Sequence, residues 1–196
     1  MTEIKPFSCP IAHFLDWYQA LDRIKDVDDV MMLATVRPDG KPALRAVLYK
    51  GIYSQGWLFF SNYTSAKAQE ILHCPHGALT FYWPSAYRQV RIEGEISKIP
   101  EEKSRAYFYS RPRESQLAAW ASYQSAVLND RDMLIARYNR LEEECSDIVP
   151  YPEFWGGYIL SAQRVEFWQG EPHRMHQRLL YSKMEKEGWQ TECLYP

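Results

Sequence analysis

The stretch that most constrains this chain is residues 164–178, RVEFWQGEPHRMHQR. Its first half alternates: Val165 and Phe167 point one way, Glu166 and Trp168 the other, which is the period of a strand. Gly170 and Pro172 break the run as a tight connection does. Beyond them Arg174, His176 and Arg178 lie two apart, so a strand here carries all three on one face. A core strand does not choose that face, because burying unpaired charge is costly. Two readings stay open: a solvated strand face, or a face aimed at an anionic, polar aromatic ligand with Trp168 at its border.

The remaining elements read in order. Ile11, Phe14, Leu15, Tyr18 and Leu21 recur at helical spacing, predicting a helix over 11–24 with Pro10 in its first turn. Strands over 31–36 and 42–50 flank an Arg37-Pro38-Asp39-Gly40 turn, as in a hairpin. A third strand over 57–61 meets a polar turn, and Ser65 is placed to cap a helix over 66–72. Strands over 77–83 and 87–98 follow, then helices over 101–109 and from Pro112, and a helix over 130–144 with Leu134, Tyr138 and Leu141 as its stripe. The last strands are expected over 158–168, 174–182 and 189–194, with a polar loop over 183–188. Six to eight mostly antiparallel strands and about four helices make an α+β fold on a closed or nearly closed barrel.

Some function classes drop out. The net charge is −2 and no Lys/Arg cluster forms a groove binder, so nucleic acid is not an expected partner. No apolar run spans a membrane and Met1 opens no signal-peptide pattern. Cys9, Cys74, Cys145 and Cys193 lack paired spacing and read as reduced cytoplasmic thiols. His73-Cys74-Pro75-His76 has no second ligand pair, so no metal is expected. Aromatic residues make up 15% of the chain, which suits flat ligand surfaces, a large interface, or core packing alone.

Two places favour anions. A strand running into a helix at Ser65 points free N–H groups outward, and Lys67 in the first turn opposes the helix dipole unless an anion offsets it. Tyr107 and Arg111 share a helix face, and Ser115 opens the next helix, a set suited to a phosphate monoester. A plain helix corner with an Arg–Glu salt bridge is the competing reading.

SRPRESQ at 110–116, RQV at 88–90, Gln124-Ser125, WGG at 155–157 and EFWQG at 166–170, followed by Arg174, His176 and Arg178, together resemble the pyridoxamine 5′-phosphate oxidase family. The matches run from about Met31 to Pro196 in the family's order. The resemblance implies an FMN-binding split β-barrel with peripheral helices, one domain over 1–196. It also implies a helical segment over 1–28, a dimerisation region over about 150–196, and a homodimer with two flavins at the interface. The implied reaction oxidises pyridoxamine or pyridoxine 5′-phosphate to pyridoxal 5′-phosphate, with dioxygen as acceptor and hydrogen peroxide as product. By resemblance Arg174 and His176 hold the pyridine and steer the reacting carbon, and Lys50, Tyr107, Arg111 and Ser115 anchor the substrate phosphate. Arg45, Lys50, Phe60, Ser61, Lys67, Gln89, Gln124, Ser125, Trp168 and Arg178 hold FMN. Phe60 stands where many members have tyrosine, the chain is short at its N-terminus against longer members, and Ala66 stands where the family has arginine. A flavin oxidase of a larger ring substrate and a non-catalytic FMN or pyridoxal phosphate binder are the alternatives.

The Ala66 departure removes one cation from the implied FMN phosphate site. Ala66→Arg is expected to tighten FMN, by about 1.5–3 kcal/mol if the contact is desolvated and under about 1 kcal/mol if exposed. Fluorescence titration of apoprotein at two salt concentrations measures it, with the larger gain at low salt. Equal affinities would show that another residue already fills the role or that residue 66 does not face the phosphate.

Overall fold

The computed structural model describes residues 3–145, 147–186 and 188–196. Helix α1 (Pro10–Gln19) precedes the hairpin β1 (Val30–Val36) and β2 (Pro42–Leu48), then β3 (Ile52–Tyr53) and β4 (Gly56–Asn62). Next come α2 (Ala66–His73), β5 (His76–Trp83), β6 (Arg88–Lys98), α3 (Glu101–Ser110), α4 (Arg113–Ala121) and α5 (Arg131–Glu144). Strands β7 (Trp155–Gln169), β8 (Gln177–Lys183) and β9 (Trp189–Cys193) finish the chain. No helix among the described residues is long and apolar enough to cross a membrane.

Among the described residues nine strands form one sheet in the order β2-β1-β5-β6-β7-β4-β3, with β8 on β7 and β9 on β8, and every pairing is antiparallel. Strand β7 is the fork. One edge pairs with β6 along its length, while the other pairs with β4 through Ser161 and with β8 from Arg164 onward. The register against β6 shifts at this same point, between Glu93 and Gly94. A bulge sharpens the local twist, which lets one strand leave one neighbour and meet another. Gly94 permits the close approach, since a Cβ there would sit 2.0 Å from the Ser161 carbonyl oxygen. Backbone bonds from Lys50 N–H to Leu58 O (2.8 Å) and from Leu58 N–H to Gly51 O (2.9 Å) bring the end of β2 onto β4 and close the barrel. The fold is an α+β split barrel, as the sequence reading expected.

Inward alternation fills the barrel: Leu33, Phe59, Leu79, Phe81, Val90, Ile92 and Phe167 are fully buried. Helix α1 packs Phe14 against Phe81 (4.9 Å), Tyr49 (5.4 Å) and Trp57 (5.6 Å) between ring centroids. Burying a side chain of that size contributes about 1.5–3 kcal/mol. His13 stacks between Phe7 (4.8 Å) and Phe167 (3.9 Å), and its Nδ1 meets the Tyr181 hydroxyl at 3.0 Å.

Several expectations are corrected. Helix α1 stops at Gln19, not residue 24: the chain turns at 24–28, where Val27 and Asp28 N–H both donate to Ile24 O, and Ile24 has no surface to cover. A two-residue strand, β3, was not anticipated, being too short to show a period. Arg174 and His176 do not share a strand face with Arg178. Pro172–Arg174 forms a 3-10 turn with His173 and Arg174 at φ 58° and 62°, and β8 begins only at Gln177. Ser65 does not cap α2 with its side chain; its hydroxyl donates back to Asn62 O at 2.8 Å. Pro112 is the residue before α4 rather than its first turn. The polar loop after β8 includes Glu187, which lies outside the described residues, as do Met1 and Thr2 of the N-terminal segment.

The buried His13 predicts a pH dependence. Burial, the largest cause, together with Arg88 pushes its pKa from 6.5 down to about 4, against a smaller opposing pull from Asp16. The folded state therefore refuses a proton that the unfolded chain accepts. Its contribution is complete above about pH 6.5 and is lost as pH falls toward 4, about 3 kcal/mol in all. His13→Phe keeps the stack without the titration. Urea unfolding at pH 7 and pH 4.5 should show the native chain losing about 2–3 kcal/mol more than the variant. Parallel losses would remove His13 as the cause.

Candidate active site

A cavity of about 620 Å³ opens between the closing strands and the α3–α4 corner. Lys50 follows β2; Phe60, Ser61 and Asn62 come from the end of β4; Tyr107 and Arg111 from the end of α3; Ser115 from α4; Gln124 from the loop beyond; Trp155 from the start of β7. Phe60 stacks on Tyr107 at 3.9 Å and on Trp155 at 5.2 Å, so three flat rings make one wall. The Arg111 guanidinium carbon lies 4.6 Å from the Trp155 ring centroid. Its Nη1 is buried and has no hydrogen-bond partner. Burial lowers the Arg111 pKa, with Tyr107 opposing, and burial raises that of Tyr107, with Arg111 opposing. Among the described residues Arg111 makes no ion pair, with Glu114 or any other carboxylate. A buried donor left unpaired costs free energy that an anion in the cavity would recover.

A second unpaired cation backs the same cavity. Lys67 Nζ donates to Ser61 Oγ (3.0 Å), Gln124 Oε1 (3.0 Å) and Ser65 Oγ (3.3 Å), all neutral acceptors. The nearby carboxylate of Glu70 is taken by Arg45 at 2.6 Å and by the Thr35 hydroxyl at 2.5 Å. Burial first, and then Arg45, lowers the Lys67 pKa, while Glu70 pulls the other way. Ser61 and Gln124 line the cavity and carry this charge to its wall. Arg45 itself does not line it, nor does Ser125, which sits at φ 73° and borders a separate hollow with Thr64, Ala66 and Gln124. Ala66 is exposed there, so the smaller gain given above for an arginine applies.

The other nominated residues stand elsewhere. Gln89, Trp168 and Arg178 form a cross-strand row on β6, β7 and β8, and His176 lies 4.8 Å from Trp168 between ring centroids. Glu166 is buried beside them and accepts from Arg178 Nε at 2.8 Å, from its Nη2 at 3.1 Å and from Arg91 at 2.9 Å. The Glu171 N–H donates to His176 Nδ1 at 3.1 Å, which leaves the ring proton on Nε2. None of Gln89, Trp168, Arg174, His176 and Arg178 lines the cavity. Sequence reasoning gave Trp155 no individual role and missed Asp26 and Asn62; only WGG marked the first, and nothing local marked the others.

Residues 155–196 match a family model described as "Pyridoxine 5′-phosphate oxidase C-terminal dimerisation region". Residues 19–145 match the model "Pyridoxamine 5′-phosphate oxidase". The chain belongs to the pyridoxamine 5′-phosphate oxidase family. A protein of Coxiella burnetii named "Pyridoxine/pyridoxamine 5′-phosphate oxidase" is 45% identical over 197 residues, covering 100% of both chains. One of that name from Gloeothece citriformis is 43% identical over 198 residues, covering 100% of this chain and 92% of its own. Among solved structures, PhzG from Burkholderia lata, in complex with tetrahydrophenazine-1-carboxylic acid, superposes with a TM-score of 0.91 at 28% identity, covering 97% and 94% of the two chains. An FMN binding protein of Nostoc punctiforme related to pyridoxamine 5′-phosphate oxidase shares the fold, at TM-score 0.75, 22% identity and full coverage of both chains.

The unpaired Arg111 generates a mutational prediction. Arg111→Ala should weaken use of a phosphorylated substrate by about 10- to 100-fold and leave FMN retention intact. Steady-state kinetics and flavin absorbance measure the two effects. Normal use of pyridoxamine 5′-phosphate by the variant would remove Arg111 from the site.

Proposed function

We propose that this chain oxidises pyridoxamine 5′-phosphate or pyridoxine 5′-phosphate to pyridoxal 5′-phosphate, with FMN as cofactor, dioxygen as acceptor and hydrogen peroxide as product. One observation carries the reading: among the described residues two cations have no ion-pair partner at one cavity, Arg111 on its lining and Lys67 buried behind the lining residues Ser61 and Gln124. Two phosphate-bearing molecules, a flavin mononucleotide and a phosphorylated substrate, match that pair. A single neutral ligand would leave a buried charge uncompensated.

Bound FMN would supply the two-electron acceptor for the substrate's exocyclic carbon. Lys67, Ser61 and Gln124 would hold the flavin phosphate, with Arg45 and Ser125 beside them. Lys50, Tyr107, Arg111 and Ser115 would hold the substrate phosphate and thereby fix where the ring lies. The wall of Phe60, Tyr107 and Trp155 excludes water from one side. Gln89, Trp168, Arg174, His176 and Arg178 would reach the site from a second copy of the chain; the match of residues 155–196 to a dimerisation region supports a homodimer. With its Nδ1 occupied, His176 presents an N–H: it donates to a substrate oxygen or ring atom and does not act as a base. The four cysteines are free, in keeping with a cytoplasmic setting.

A flavin oxidase of a larger ring is the second reading, favoured by the likeness to PhzG. Its carboxylic acid ligand carries no phosphate, and the paired cations weigh against it here. Anaerobic mixing of the purified yellow protein with pyridoxamine 5′-phosphate should bleach the flavin, and air should restore it with peroxide. Arg174→Ala and His176→Ala should each slow the bleaching by about 10-fold or more while FMN stays bound. Unchanged reduction in both variants would take them out of the active site, and no bleaching of the native protein would sink the function.

A further inference from the structure

The turn between α1 and β1 places a carboxylate in the mouth of this cation-rich cavity. Lys25 and Asp26 both line it, alongside Lys50. Asp26 has φ 64°, a left-handed conformation that aspartate and asparagine tolerate better than most residues. Its Oδ1 lies 3.7 Å from Lys50 Nζ, the one ion pair that Lys50 makes among the described residues. The turn is braced from behind: Val27 and Asp28 N–H donate to Ile24 O at 3.1 and 3.0 Å, and Asp28 Oδ2 accepts from Ile24 N–H at 2.7 Å. The carboxylate is thus presented on a closed turn, directly at a lysine of the anion pocket.

A site that takes anions gains nothing from an anion of its own, which neutralises one cation and repels the ligand. The pair is also poorly placed to stabilise the fold. The Asp26 side chain is 58% exposed, and exposed pairs are worth little. The carboxylate can therefore be displaced cheaply, whereas a phosphate spanning Lys50 and Arg111 gains charge-assisted bonds to both. We propose that Asp26 is a built-in competitor for the phosphate subsite: it pairs with Lys50 while the cavity is open, yields Lys50 to an incoming phosphate, and hastens release of the phosphorylated product. The proposal rests on the reading that Lys50 and Arg111 hold the substrate phosphate.

Calorimetric titration of the FMN-loaded protein with inorganic phosphate, at low and high salt, tests it. Asp26→Asn keeps the shape and the left-handed backbone while deleting the charge, and Asp26→Gly keeps the backbone alone. Both should tighten phosphate by about 3- to 10-fold at low salt, with the gain shrinking at high salt. Arg111→Ala, run beside them, should weaken it. Unchanged or weaker binding in both Asp26 variants, with Arg111→Ala still weakening it, would overturn the competitor role and leave the phosphate subsite standing; weaker binding would make Asp26 a residue that holds Lys50 in place. No loss in Arg111→Ala would instead overturn the subsite itself.

Discussion

The pairing of β7 is the constraint on which the rest of the structure depends. One strand of 15 residues gives one edge to β6 and divides the other between β4 and β8. Its first half closes the barrel and brings Trp155 to the cavity wall. Its second half carries Trp168 and Glu166 out to a different row of side chains. The bulge opposite Gly94 is where these two duties separate, and backbone hydrogen bonding on both edges holds the division in place.

The cavity's character comes from charges that the fold leaves unpaired. Glu70 is close enough to serve Lys67, yet Arg45 and Thr35 occupy it. Arg111 lies over an aromatic ring and keeps one nitrogen without a partner. Elsewhere the buried carboxylate of Glu166 takes both Arg91 and Arg178. Arg111 Nη1 differs from the other orphaned nitrogens in lining this cavity, where an anion would satisfy it. Arg111 lines the cavity and Lys67 lies behind its wall, and the family to which the chain belongs is named for a phosphorylated compound.

Most of the barrel was legible in the sequence, because strands filled from one side alternate and turns carry Gly, Pro and Asp. The hairpin over 30–48, the β5–β6 pair and the helices after β6 stand where those patterns put them. Tyr107, Arg111 and Ser115, which the family resemblance grouped, line one cavity, although Arg111 follows the end of α3 in extended backbone. The errors share one cause: local pattern does not register long-range competition. Ile24 continued a helical period but had no core to cover. Arg174 and His176 kept a two-residue period, but Pro172 opened a turn that took both out of the strand.

The amino-acid sequence by itself determined the fold class, the family and the types of residue that bind anions, since these follow from periodicity, turn chemistry and ordered motifs. Only the tertiary structure decided which of those residues meet. It joined Lys50 after β2 to Arg111 after α3, gave Glu70 to Arg45 and not to Lys67, and set Asp26 against Lys50. Partner choice among charges depends on distances across elements far apart in the chain, and the sequence does not carry those distances until the barrel closes.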